Sequence, residues 1–195
     1  LIRHAEPVDD MRGRCYGSLD VGLSPRGIEQ STGLATELAG QRVLRVVSSP
    51  RVRAVDTAVP IAAAHGLEVE IVDGLRELDF GQLEGRTYDE IADSLPELYR
   101  RWMTSPTTVS FPGGESYADL CLRAGTALED LRTDACAGAM VAVTHGGVVR
   151  SFLSQILEVP PKRMFRLAVD YASVTRIDWI GDEPVVHAVN VVSRS

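Results

Sequence analysis

Apolar positions follow two spacings along this chain, and the switches between them predict its elements. Leu1-Ile2 reads as the end of a buried strand that runs straight into Arg3-His4. A long loop over 5–23 follows, punctuated by Pro7, Gly13, Gly17 and Gly22. Ser24-Pro25 predicts a helix start, with Ser as the cap and Pro in the first turn. Ile28, Leu34, Ala35 and Leu38 supply its core face up to Gly40. Val43 to Val47 reads as a buried strand, and the helix after Ser49-Pro50 is expected to stop at His65-Gly66. Val69 to Val72 is a short strand.

Tyr88 to Leu95 and Glu97 to Met103 read as short helices, followed by a Thr/Ser/Pro/Gly-rich loop over 104–115. Tyr117, Leu120, Cys121, Ala124, Leu128 and Leu131 keep helical spacing within a helix from about Ser116 to Arg132. Met140 to Val143 is another buried strand, ending at Thr144-His145-Gly146-Gly147, where a helix through Leu157 opens. Ser173 to Trp179 and Pro184 to Val192 predict a terminal hairpin around Gly181-Asp182. Strands that alternate with helices predict an α/β fold: a three-layer α/β/α sandwich with a mostly parallel central sheet. A single domain over 1–195 is expected, with a small insertion at about 80–115 over the C-terminal end of the sheet.

Composition narrows the class. The 195 residues are 45% hydrophobic and 24% charged, as globular domains are. With 20 basic and 27 acidic residues the net charge is −7, which argues against a nucleic-acid-binding surface. Any anionic ligand must be met by a local arginine cluster. Cys15, Cys121 and Cys136 have neither metal nor disulfide-scaffold spacing, so a reducing cytoplasm is expected. No run approaches a membrane span and none reads as a signal peptide. The opening Leu1-Ile2, apolar and without Met, reads as a strand that starts upstream.

In open α/β sheets ligands bind beyond the carboxyl ends of the strands. His4 and His145 both stand there, one beside Arg3 and the other before Gly146-Gly147 at a helix start, where backbone N–H groups favour anions. Arg53 falls in the first turn of another helix at the same end, against the dipole, and an anionic ligand would explain it. Arg51 fits a solvated side chain better. Leu75-Arg76-Glu77-Leu78-Asp79 puts carboxylates at a further strand end. His65, in a last helical turn, and His187, within a strand, read as structural. No Cys is followed six residues later by Arg, since Val21, Ala127 and Ala142 occupy those places. The glycine-rich phosphate loops, zinc-protease and serine-hydrolase motifs are also missing, as is a D-x-D pair. Among nucleophiles for an anionic substrate, histidine remains.

These blocks together resemble the histidine phosphatase superfamily, in its phosphoglycerate-mutase-like branch. Arg3-His4-Ala5 is similar to the R-H-G opening. Gly13-Arg14-Cys15-Tyr16-Gly17-Ser18 through Ser24 looks like the substrate loop, and Ser48-Ser49-Pro50 through Thr57-Ala58 matches S-S-P-x-x-R-A-x-x-T-A. Leu75-Arg76-Glu77 with Glu84-Gly85, Pro112-Gly113-Gly114-Glu115-Ser116 and Thr144-His145-Gly146-Gly147 complete the series in order. The resemblance implies that His4 is the phosphoryl-accepting nucleophile and Glu77 the general acid–base. It implies that Arg3, Arg53, His145 and Gly146 bind the phosphoryl group, with Arg14, Tyr16, Gly17 and Ser18 in the substrate loop. It implies no metal and no cofactor. Ala5 and Pro7 depart from the usual Gly and Thr. Tyr16 stands where mutases show a small hydroxyl residue, which makes the chain more similar to α-ribazole phosphatase-like members.

A mutase would need extra cations in the insertion, which offers Arg86, Arg100 and Arg101. The expected activity is therefore a metal-independent phosphomonoesterase of a small phosphorylated metabolite. A phosphoglycerate mutase and a catalytically silent phospholigand-binding protein are the alternatives. The partner expected is that substrate; the apolar hairpin fits pairing across a homodimer and packing into the chain's own core equally well, which leaves the oligomeric state open. Neither nucleic acid nor membrane is expected.

Overall fold

The computed structural model describes residues 1–133 and 138–192. Twelve principal elements follow one another in chain order: β1 (Ile2–Arg3), α1 (Pro25–Leu38), β2 (Val43–Ser48), α2 (Val52–Ala64), β3 (Val69–Ile71), α3 (Tyr88–Ser94), α4 (Pro96–Thr104), α5 (Tyr117–Thr133), β4 (Ala139–Thr144), α6 (Gly146–Ile156), β5 (Val174–Ile180) and β6 (Glu183–Val191). They form one six-stranded sheet in the order β3-β2-β4-β1-β5-β6. Strands β3, β2, β4 and β1 are parallel, and β5 and β6 continue the sheet antiparallel.

Side chains alternate across the sheet, as a strand buried on both faces requires. Val46, Val141 and Val143 pack with Leu34, Ala54, Ala58 and Ile61 of α1 and α2. Val47 and Ala142, their neighbours in sequence, pack on the other face with Leu128 of α5 and Phe152 of α6. The fold is thus the expected three-layer sandwich. The segment between β3 and α5 adds Ile91, Trp102, Val109 and Phe111 to that second core.

One expected core residue faces outward. Ile28 is 57% exposed, while Gly27, Ser31, Leu34, Ala35 and Leu38 form the buried stripe of α1. The loop after β1 takes the inner side of this first turn. A Cβ on Gly27 would stand 2.1 Å from the carbonyl oxygen of Glu6. Only glycine fits that approach, and the helix turns Ile28 to solvent. Ser24 caps the helix as expected, accepting from the Gly27 amide at 3.0 Å.

The histidines read as structural do not line the cavity at the carboxyl ends of the parallel strands. His65 sets its two ring nitrogens against the carbonyls of Ile61 (2.8 Å) and Leu38 (3.1 Å), tying α2 to α1. His187 pairs with Asp178 across the hairpin at 2.9 Å. Cys15 and Cys121 are free thiols, and Cys136 lies outside the described residues. No described helix is long and apolar enough to cross a membrane.

Candidate active site

Sheet order brings the chemistry together. Strands β1 and β4 are parallel neighbours with Arg3 in register with Thr144, so His4 and His145 leave adjacent strand ends. The His4 amide donates to the Thr144 carbonyl at 2.8 Å, and the two imidazole centroids lie 5.1 Å apart. On the other side of β4, Ser48 is in register with Val143, and the Ser49 amide donates to the Val143 carbonyl at 3.0 Å. That places the start of α2, with Arg51 and Arg53, against the histidines. Thr57, one turn on, accepts from the Ala5 amide at 2.9 Å and fixes the backbone beside His4.

Hydrogen bonding assigns the His4 tautomer. Nδ1 lies 2.7 Å from the Ala5 carbonyl, an acceptor only, so Nδ1 carries the hydrogen. The Nε2 lone pair has no partner among the described residues. Burial, then the charges of Arg53 and Arg3, hold the His4 pKa well below its ordinary value and keep the ring neutral. His145 is lowered for the same reasons, burial first. Its Nε2 meets the Ser49 hydroxyl at 2.8 Å, while Nδ1 is buried without a partner.

Three buried arginine donors have no acceptor among the described residues: the Nε atoms of Arg3, Arg51 and Arg53. Each unmet buried donor costs roughly 1–3 kcal/mol. A concentration of them on charged groups is what a site for an anion requires. Arg51, expected to be solvated, is half-buried among these groups.

Arg53 also organises the loop before α1. Its terminal nitrogens donate to the carbonyls of Leu19 (2.8 Å), Tyr16 (3.0 Å) and Gly17 (2.9 Å). Its fork is therefore not free for a bidentate grip. Of five donors, three hold the loop. Arg3 uses one, to the Val169 carbonyl at 2.6 Å.

The Glu77 carboxylate accepts from the Gly147 amide in the first turn of α6 at 3.0 Å and from the Leu78 amide at 2.9 Å. A Cβ on Gly147 would fall 2.2 Å from Glu77 Oε1, so that approach needs glycine. The carboxylate segment expected at a strand end lies instead beyond a helical turn, Asp73–Leu75, that follows β3, and Arg123 of α5 braces it, donating to the carbonyls of Gly74 and Arg76, both at 2.9 Å. Glu115 meets Arg123 with both oxygens at 2.8 Å and accepts from the Asp79 amide at 3.1 Å.

Above these groups opens a cavity of about 780 Å³. Arg3, His4, Arg53, Glu77, Arg14, Tyr16 and Gly17 line it. Ser18 does not: its amide donates to Glu84 Oε1 at 2.8 Å, where Glu84 anchors the loop. Gly146 and His145 lie behind the lining, Gly146 with its Cβ position 3.5 Å from Arg3 Nε. Arg86, Arg100 and Arg101 do not reach the cavity. Arg100 pairs with Glu97, Arg101 donates to the Thr108 carbonyl, and Arg86 bonds Glu90 and Ser94.

The sequence reading missed Arg150, Lys162, Tyr171 and the aromatic wall of Phe80, Tyr88, Trp102, Tyr117 and Phe165, all of which line the cavity. Arg150 had a signal, one helical turn beyond Gly146 at a helix start already placed at the site. Tyr171 had none. Among the described residues, no three His, Cys, Asp or Glu side chains gather as metal ligands.

An α/β sheet with nucleophile-capable histidines and arginines at adjacent strand ends is the architecture of an enzyme acting on an anionic group. The chain belongs to the histidine phosphatase superfamily, branch 1, whose sequence model matches residues 1–192. It is 35% identical to phosphoserine phosphatase 1 of Hydrogenobacter thermophilus over 191 residues, 98% of this chain and 90% of that protein. It is 32% identical to the metal-independent phosphoserine phosphatase of Arabidopsis thaliana over 186 residues, 93% of this chain and 78% of that one. The solved α-ribazole phosphatase of Shigella flexneri superposes with a TM-score of 0.88 at 26% identity, covering 97% of this chain and 94% of its own. Family and relatives make this chain a phosphoric monoester hydrolase.

Proposed function

We propose that this enzyme hydrolyses a small phosphomonoester in two steps through a phosphohistidine at His4. The observation that carries the reading is the His4 ring, neutral, with Nδ1 committed to Ala5 and the Nε2 lone pair unspent in a site that holds the unmet donors of Arg3 and Arg53 and the unpartnered His145 Nδ1. The lone pair attacks phosphorus while the ester P–O bond breaks, and the Glu77 carboxyl gives its proton to the departing alkoxide. Water then attacks the phosphohistidine, returns a proton to Glu77 and leaves orthophosphate and neutral His4. The unmet donors stabilise the charge spread over the phosphoryl oxygens, which is most of what catalysis of this reaction needs. Glu77 contributes general acid–base help, on the order of 10²–10⁴-fold.

Two phosphatases named for phosphoserine among the relatives make it the first substrate to try. Its carboxylate would find Arg14, Arg150 or Lys162 in the cavity wall. The phosphatase reading is favoured over a mutase because the insertion's arginines are engaged away from the cavity. A reducing cytoplasm suits the free thiols Cys15 and Cys121. A homodimer through the outer strand β6 is the assembly we propose, and light scattering checks it.

Phosphate release from phosphoserine and p-nitrophenyl phosphate in excess chelator tests the function. We expect turnover in both, none in His4→Ala, and an acid-labile phosphoenzyme in the parent. Conversion of 3-phosphoglycerate to 2-phosphoglycerate without phosphate release would establish the mutase instead. Phosphate binding without turnover would leave a silent binding protein. Glu77→Gln should slow phosphoserine far more than p-nitrophenyl phosphate, whose leaving group needs little protonation. Equal losses would remove Glu77 as the acid.

A further inference from the structure

The segment from Val169 to Ser173, just before β5, is tied to Arg3-His4 at five points, one of them the Tyr171 ring with its centroid 5.6 Å from that of His4. Arg3 Nη1 donates to the Val169 carbonyl at 2.6 Å, and the Tyr171 ring covers the guanidinium with Cζ 3.9 Å from its centroid. The Ala172 amide donates to the His4 carbonyl at 3.2 Å, and the Arg3 amide donates to the Ser173 carbonyl at 3.1 Å.

The segment holds this shape against backbone preference. Ala172 is buried with φ at 54°, the left-handed region that L-residues enter only at a cost. Asn190 of β6, with φ at 58°, grips the segment from outside. Its side-chain carbonyl accepts from the Asp170 amide at 2.5 Å, and its Nδ2 donates to the Asp170 carboxylate at 2.8 Å. Two of the three non-glycine left-handed residues among the described residues thus serve one five-residue strap. Such strain persists where the surroundings over-determine it, and it concentrates at functional sites.

The strap also reaches across the cavity. The Tyr171 hydroxyl meets the Tyr16 hydroxyl at 2.7 Å, and the Tyr16 ring centroid lies 5.1 Å from Arg53 Cζ. Each cavity-lining arginine beside His4 therefore carries an aromatic ring, and the two rings are joined through their hydroxyls.

We propose that Tyr171 is a positioning residue: its ring, held by the strap, sets the plane of the Arg3 guanidinium toward the phosphoryl group, and its hydroxyl closes the cage by locking onto Tyr16. One side-chain hydrogen bond leaves a long arginine free to turn about its own axis. A ring stacked on the guanidinium removes that freedom and leaves the edge donors open. The inference rests on the reading that this cage binds a phosphoryl group.

The test is the affinity of the full chain for orthophosphate and orthovanadate. It compares the parent with Tyr171→Leu, Tyr171→Phe, Asn190→Ala, Arg3→Lys and the double variant Arg3→Lys/Tyr171→Leu. We expect Tyr171→Leu to bind roughly tenfold more weakly, the scale of a desolvated cation–π contact. Tyr171→Phe should recover most of that loss, because the ring returns. Asn190→Ala, which leaves the ring and loosens its anchor, should lose about two- to threefold and keeps the test open if Tyr171→Leu does not fold. In the Arg3→Lys background, which keeps a cation but has no guanidinium plane to orient, most of the Tyr171→Leu loss should vanish. An undiminished loss there would overturn the proposal, since the ring would then act other than through Arg3. So would unchanged affinity in both Tyr171→Leu and Asn190→Ala. If the parent itself binds neither anion, the proposed function falls and takes this inference with it, an outcome the variants cannot mimic.

Discussion

At the scale of single residues, the site is a set of side chains held in costly states. His4 and His145 are buried and neutral, with pKa values pushed below the ordinary histidine range by burial and by Arg53. The unfolded chain takes up protons on them near pH 6.5, before the folded chain does. They therefore contribute stability that is complete above that pH and erodes as pH falls from it toward the lower folded values. The urea midpoint of the parent should drop between pH 7 and pH 5 by more than that of His4→Ala. Parallel slopes would contradict the buried neutral ring. The acid limb of kcat/KM should likewise lie below pH 6.5. Arg53→Met should cost on the order of 2–4 kcal/mol in urea unfolding, because it strips charged donors from three loop carbonyls. Gly17→Ala would set a Cβ 1.6 Å from the Leu78 carbonyl oxygen, so the loop must move. We expect a raised KM and a loss of roughly 1–3 kcal/mol. Arg3, His4, Arg53 and His145 were legible as candidates because each bears chemistry at a recognisable strand or helix end, whereas Glu77, beyond a helical turn after β3, was legible only through the family resemblance. What Arg53 does with its donors was not, since three backbone carbonyls carry no signature in side-chain letters.

Among the elements, the segment carrying Glu77, beyond the turn that follows β3, is placed by neighbours rather than by itself. Glu115 and Arg123 brace it from the start of α5, and both are mostly buried. Glu115→Gln should reduce turnover of phosphoserine several-fold while orthophosphate affinity stays near the parent value, since the arginine cage is untouched. Matched losses in both would mean that the brace supports the whole cavity. Capping and periodicity made α1, α2 and the hairpin readable, with bounds close to those observed. Ile28 was misread because the inner side of that turn is filled by loop backbone, which a side-chain pattern does not record. The adjacency of β1 and β4 was equally hidden. Both strand ends were visible, but a chain that returns to insert β4 beside β1 is a property of topology.

For the whole molecule, unmet buried donors imply linkage between anion binding and folding. Orthophosphate at a hundred times its dissociation constant should stabilise the fold by about 2.7 kcal/mol. A thermal midpoint that rises with phosphate, and rises less in Arg3→Lys, checks this. The site draws on positions 3, 4, 53, 77, 145 and 171, and on a strap gripped by Asn190 of the last strand. Contacts so distant along the chain form late, after loop closure has been met. Ellipticity should thus return early after dilution from urea, while turnover lags until β6 docks. A chain truncated before β6 would already look helical and yet release no phosphate, which makes catalysis itself the reporter of that strand's docking.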